Sequence, residues 1–312
     1  MISFGAVIGK LTIEQYLLMA FVETVLYGAN QWITTWLGAT DIGGSMTIHV
    51  FGAYFGLAVA RMNTKKDSYH HKNNVSTYQS NTFALIGTIF LWMFWPSFNA
   101  AVAPLDSQRH RIVINTLLSL SVSCFSSFCL SHCFHTKFGI VEIQNSTLAG
   151  GVAIGAVSDL MISPWGSMLV GLVAGSLSVI GFARAGHFLE DKLSFHDTAG
   201  IHNLHGVPGV IGGLASVFAS LVAQESTYGT SLPYIFPKRA SSNATLAAQL
   251  GVPAGEDRTA GLQAGFQMCA LVISILMGLV GGLLVGAVLR TGLFSKVPQY
   301  SQFSDELYWE IP

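Results

Sequence analysis

Two histidines, each eight residues after an aspartate, are the groups in this chain best placed to do chemistry. The first phrase reads Asp41-Ile-Gly-Gly-Ser-Met-Thr-Ile-His49 and the second Asp197-Thr-Ala-Gly-Ile-His-Asn-Leu-His205. Each has glycine three residues after its aspartate, at Gly44 and Gly200, and each histidine is followed by Gly-x-x-x-Gly, at Gly52/Gly56 and Gly209/Gly213. Both copies lie in long apolar stretches, where an ionisable side chain is costly and marks a functional site by default. A neutral imidazole donates at one ring nitrogen and accepts at the other, so a buried pair could pass a small polar molecule or ligate a metal. His202 lies on the same helix face as His205, three residues before it. The matched aspartate spacing favours His205, which leaves His202 a supporting or vestibule role. The remaining histidines fall in loops or at span ends and read as solvated.

Asp41 and Asp197 read first as helix caps that satisfy free backbone amides. A carboxylate at an entrance also lowers the energy of an approaching cation, so cap and vestibule are compatible roles.

The elements that must carry these groups are membrane helices. Of 312 residues, 51% are hydrophobic and only 10% charged, against about a quarter charged in a soluble domain. A net charge of −1 gives no reason to expect nucleic acid or an acidic partner. Cys124, Cys129, Cys133 and Cys269 form no C-x-x-C pair and read as small buried hydrophobes. The opening Met-Ile-Ser-Phe-Gly-Ala-Val has neither a basic leader nor a cleavage site. Apolar windows of about 20 residues, enough to cross ~30 Å of hydrocarbon, predict eight spans. They cover 12–37, 44–61, 80–103, 111–133, 144–163, 165–183, 199–223 and 260–290. The expected architecture is an all-α, polytopic membrane helix bundle forming a single domain.

If the loop 61–79 is cytoplasmic, that side collects ten of the fifteen Lys and Arg residues, as the positive-inside rule requires. The C-terminus is then inside and the loop 224–259 outside. Asn243-Ala-Thr becomes a glycosylation acceptor, while Asn74 and Asn145 face the cytoplasm and stay unused.

The histidine spans are the second and the seventh, five crossings apart, so they thread the membrane in opposite directions. That is the mark of an inverted repeat, an arrangement of transporters whose sites lie near the midplane. Eight helical residues place each histidine roughly 12 Å below its aspartate, close to the middle of the bilayer from either side. The Gly-x-x-x-Gly pairs, with others at Gly151/Gly155, Gly171/Gly175 and Gly282/Gly286, permit close helix approach.

Four segments carry a wider likeness: Ser45-Met-Thr-Ile-His-Val-Phe-Gly-Ala-Tyr-Phe-Gly56, Leu91-Trp-Met-Phe-Trp-Pro-Ser-Phe-Asn99, Asn145-Ser-Thr-Leu-Ala-Gly-Gly151 and Gly200-Ile-His-Asn-Leu-His-Gly-Val-Pro-Gly209. They resemble the Rh glycoproteins of the ammonium transporter/Rh superfamily, nearest to the non-erythroid B and C types. The resemblance extends from Ile2 to the closing Tyr308-Trp-Glu310. It implies that His49 and His205 are the twin pore histidines, that Phe98 is one of two phenylalanines closing the external mouth, and that Asp41 and Asp197 stand near the ends of the path. It further implies a multi-pass plasma-membrane protein, a homotrimer with one pore per subunit, and ammonium or ammonia as substrate, with carbon dioxide as a further candidate. No cofactor or metal is implied. Relatives have twelve spans, and this chain begins where their fifth begins, so a fragment or short form is expected.

The mechanism that follows is ammonium shedding its proton near the mouth and crossing the dry, narrow part as neutral ammonia, since a bare cation there meets a large desolvation cost. Two other readings stand beside it. One is a non-conducting structural subunit. The other is a membrane metalloprotein using His49, His202, His205 and an aspartate, which would need three or four convergent ligands where the repeat supplies two at equal depth.

Overall fold

The computed structural model describes residues 1–185, 192, 195–306 and 308–310. Short α1 (Ile2–Val7) leads into α2 (Ile13–Trp36), which starts at Thr12, whose amide donates to the Gln15 side chain at 2.9 Å. A π-helical segment, Ser45–Val50, runs straight into α3 (Phe51–Asn63). Then come α4 (Tyr78–Ala100), α5 (Asp106–Phe134), α6 (Ile140–Ile154) and α7 (Pro164–Ile180). A second π-helical segment, His202–Gly206, enters α8 (Val207–Val222), and α9 (Ala260–Leu289) closes the bundle. Thr77 caps α4 by accepting from the Ser80 amide at 3.1 Å, and Thr259 caps α9 by accepting from Leu262 at 3.2 Å. Among the described residues every regular element is helical.

By length and apolarity alone, five rods could cross a membrane: α4, α5, α7 with its extension to Arg184, His202–Val222 and α9. α2 is long enough but diluted by Glu14, Gln15, Glu23, Asn30 and Gln31. α6 is short. The window 144–163 is helical only to Ile154, because the Ser45 hydroxyl diverts the backbone there. It donates to Val152 O at 2.6 Å and accepts from Ala156 N at 2.7 Å, while Gly43 N reaches Gly155 O at 2.9 Å. The chain then turns through 155–160 toward Pro164, which starts α7 at a position suited to proline.

Two packing zones hold the bundle together. In one, α3 lies along α9 and α1, with Phe51 and Phe55 fully buried and the glycines of α9 facing the α3 backbone; a Cβ at Gly278 would lie 2.7 Å from Phe51 O. In the other, α5 meets α6 and α7 through small hydroxyls. Ser119 donates to Gly150 O at 2.8 Å, Ser123 to Ser146 O at 2.7 Å, and Ser146 to Ser178 at 2.9 Å. Each hydroxyl thereby satisfies itself on a neighbouring helix, which a buried polar group in lipid requires.

The loop 224–259 is ordered by Arg258. Its Nη1 donates to Leu37 O at 2.6 Å, its Nε donates to Glu256 at 2.8 Å, and its guanidinium lies 3.8 Å from the Phe266 ring centroid. Hydrogen bonds from Lys238 and Arg258 hold the Glu256 carboxyl below the usual range.

Two expectations from the sequence are corrected. Cys129, Cys133 and Cys269 are exposed and Cys124 only partly buried, because they lie on the outward faces of α5 and α9 rather than in the core. His196 is not solvated. It is 2% exposed, bonded to the Asn74 side chain at 3.0 Å and stacked on Tyr69 at 5.0 Å.

Candidate functional site

Each histidine is carried by the same local device. Gly44 and Gly200 adopt φ of +73° and +72°, a conformation glycine enters without steric cost. This reverses the chain so that the preceding aspartate reaches the amides of the next turn. Asp41 Oδ2 accepts from Met46 N at 3.0 Å, Thr47 N at 2.8 Å and the Thr47 hydroxyl at 2.8 Å. Asp197 accepts from Ile201 N at 3.0 Å and His202 N at 2.7 Å. Both aspartates therefore cap, but from across a turn rather than as the residue next to the helix; in the first copy Gly44 occupies that place. Only part of each eight-residue interval is helical, so a uniform helical rise does not describe it. The two copies are built alike, and their rings come into contact.

Burial pushes the Asp41 carboxyl up to about 6, against the downward pull of the amide and hydroxyl hydrogen bonds. Its Oδ1 is buried without a hydrogen-bond partner, as is Asp159 Oδ1 in the turn after α6, close enough for the two carboxylates to repel. Burial likewise raises Asp197. Asp41→Ala strips three donors of their acceptor and should lower stability by about 1–2 kcal/mol or more. Thermal unfolding checks this, and an unshifted melting temperature would show that the turn holds without its cap.

The two imidazoles meet. His49 Nδ1 and His205 Nδ1 are 3.0 Å apart, with ring planes 2° from parallel and centroids 5.1 Å apart. His49 is 3% exposed and its Nε2 is buried without a partner. A contact between two Nδ1 atoms forces opposite tautomers: one ring donates there and the other accepts, so of the two Nε2 atoms one accepts and the other donates. The pair thus offers both hydrogen-bond roles.

Trp95 stacks on His49 at 5.7 Å and 17°, and Phe98 meets His49 edge-on at 5.9 Å. Trp95 and Phe98 also touch each other at 6.0 Å. These residues line a cavity of about 740 Å³ between α2 and α4, with the histidine pair on its wall. Phe98 is 44% exposed. His202 is not beside His205's partner: it packs edge-on against Tyr54 at 6.0 Å. The wider π-helical turn rotates residues three apart away from a shared face, which the α-helical reading of the sequence could not anticipate. Asn243 caps Ala244–Gln249, accepting from Thr245 N at 2.9 Å. It is exposed, and its Nδ2 is not used in the cap.

Sequence reasoning missed Trp95, Asp159 and Glu23. The spacing of Trp95 and Phe98, three apart in one helix, was the available signal for the first. For the carboxylates it was an isolated acid in an apolar window. Among the described residues, no group of three His, Cys, Asp or Glu converges in a way that could hold a metal.

The model of the Ammonium Transporter Family matches residues 1–297. The chain belongs to this family. It is 44% identical to the ammonium transporter Rh type B of Oryzias latipes and 42% identical to the Rh type C of Bos taurus, in both cases over 100% of this chain and 65% and 66% of the relative. The chain thus spans slightly less than two thirds of the length of these relatives. Among solved structures it superposes on Nitrosomonas europaea Rh50, described as a channel of the Rhesus family, with a TM-score of 0.79, 32% identity and coverage of 99% of this chain and 71% of the other. A sensor Amt protein shares the fold, at a TM-score of 0.72 and 22% identity over 96% of this chain and 70% of that one.

Proposed function

We propose that this chain conducts ammonium across the plasma membrane as neutral ammonia, passing it along His49 and His205. The observation that carries the reading is the 3.0 Å contact between the two Nδ1 atoms in a largely apolar cavity. Ammonia needs both a donor and an acceptor to replace its lost water contacts, and the tautomer-locked pair presents one of each. A cation gains less, because uncharged rings return little of its hydration energy. Asp41 and Asp197 attract cations at the two mouths, His202 lines the inner vestibule, and Phe98 is the hydrophobic door before the pair. Carbon dioxide, small and uncharged, is a further candidate for the same path. No coupling ion or nucleotide is required, so flux follows the gradient. The test is flux into proteoliposomes after an ammonium jump, read by an internal pH dye. Internal alkalinisation no faster than in protein-free vesicles would end the reading.

The chain assembles as a homotrimer, with its C-terminus in the cytoplasm and the 224–259 loop outside. The broad apolar faces of α2 and α4, where Phe21, Val25, Phe83, Ile86 and Phe90 are exposed, suit lipid and subunit contact. Asn243 is then glycosylated through its free Nδ2. Asn243→Gln should remove one N-glycan's worth of mass on a gel after expression in a eukaryotic cell, and an unchanged band would place the loop elsewhere or leave the site unused.

One observation favours a second reading, a non-conducting structural subunit. At about 740 Å³ the cavity beside the histidine pair is a broad pocket rather than a narrow tube. The same flux measurement separates the two.

A further inference from the structure

Lys10 is a buried cation that the conduction path does not use. It lies between α1 and α2 and is 6% exposed, where a lysine is rarely found unless its charge is answered. Its ammonium donates to Ala6 O at 2.7 Å and reaches across the chain to His196 O at 2.8 Å. His196 is the residue before Asp197, so the cation stands beside the second of the two capping carboxylates and acts on it coulombically. α1 grips the same turn twice more. Ala199 N donates to Gly5 O at 3.1 Å, and the Thr198 hydroxyl donates to Ala6 O at 3.3 Å. The first copy is braced differently: Gly43 N donates to Gly155 O at 2.9 Å, a backbone contact that carries no charge.

Asp197 holds the Ile201 and His202 amides, and such hydrogen bonds are strongest to an ionised acceptor. Burial works against ionisation by raising the Asp197 carboxyl, while the two amides and Lys10 hold it partly down. An opposite charge close by favours the ionised form. We propose that Lys10 is a positioning residue for the second histidine: its ammonium pins the His196 carbonyl and faces the charge of Asp197, which anchors the π-helical segment carrying His205. The role rests on the conduction reading only for its effect on flux; the anchoring itself is read in stability. Among the described residues, the other titratable groups around this turn are His196 against Tyr69, His202 against Tyr54, and Tyr16, which donates to Val7 O at 2.7 Å.

Thermal unfolding of the detergent-solubilised full chain between pH 8 and pH 5 tests the role in Lys10→Met, Asp197→Asn and the double variant. Lys10→Met should lower the melting temperature by about 5 °C or more at pH 8, since it leaves a buried charge without its partner. Without the cation the Asp197 carboxyl rises further, and the folded chain then accepts its proton more readily than its charge. The deficit should therefore be full above the raised Asp197 value and shrink as pH falls through it. In the Asp197→Asn background, where the histidines and tyrosines titrate as before, the same substitution should lower the melting temperature about half as much or less, with no such pH dependence. A deficit equal at every pH, or equal in both backgrounds, would overturn the proposal and reduce Lys10 to two backbone hydrogen bonds. So would a Lys10→Met chain that melts like the parent. If Lys10→Met does not fold alone, the double variant should, because it carries neither charge; a double variant that also fails overturns the role. None of these readouts uses flux, so a chain that does not conduct tests them equally well.

Discussion

Replacing both pore histidines with leucine (H49L/H205L) should reduce ammonia flux in proteoliposomes by at least about 30-fold. The figure follows from what the imidazoles supply. Ammonia crossing an apolar constriction without partners loses hydrogen bonds valued at about 1–3 kcal/mol each, and the pair replaces two of them. A barrier higher by about 2 kcal/mol slows passage about 30-fold; the upper end of the range gives far more. Single variants are predicted to act non-additively, because the rings share one hydrogen bond. H49L alone leaves His205 Nδ1 facing a hydrocarbon group, an unsatisfied polar atom that the double variant does not have. The single variant should therefore be the less stable of the two per residue changed. Flux in the double variant equal to the parent's would remove the histidines from the path.

Much of the architecture was legible because lipid imposes blunt rules. Runs of apolar residues had to be helices, since no other local structure satisfies its own backbone in hydrocarbon, and the all-helical bundle follows. The duplicated Asp-to-His phrase was legible because its glycine recurs at the same offset, and Gly44 and Gly200 have the same positive φ for the same reason. Hydrophobicity could not reveal where a helix changes type. The two π-helical entries have no compositional signature, yet they decide that His202 turns to Tyr54 while His205 turns to His49. The end of α6 was equally hidden. It depends on one hydroxyl, Ser45, 107 residues from the carbonyl it engages, a contact no local pattern encodes. Trp95 is a third case: its spacing from Phe98 marks a shared helix face, but no local pattern says that this face meets His49.

The contact between the imidazoles rests in turn on how closely their two helices approach, and Gly209, with Gly212 beside it, permits that approach. A Cβ built on Gly209 would lie 2.7 Å from Ser45 O and 2.7 Å from Val50 Cγ2, both in the π-helical segment that carries His49. Neither neighbour can yield easily. Ser45 is tied to Val152 O and Ala156 N, and Val50 is fully buried. Gly209→Leu must therefore push α8 away from that segment and draw His205 off His49. Overpacking of this kind costs about 1–3 kcal/mol or more, and because displacement acts on the geometry of the pair, flux should fall with it to the level of H49L/H205L. Gly265→Leu is the matched control, since a Cβ there meets nothing within 4 Å, and replacing a mid-helix glycine relieves about 0.5–1 kcal/mol. Thermal unfolding and flux measured on both variants separate the possibilities. If Gly209→Leu melts and conducts like the parent, close approach of the two segments is not what holds the histidines together. If Gly265→Leu also loses flux, the bundle is sensitive to any added bulk, and the role assigned to Gly209 fails.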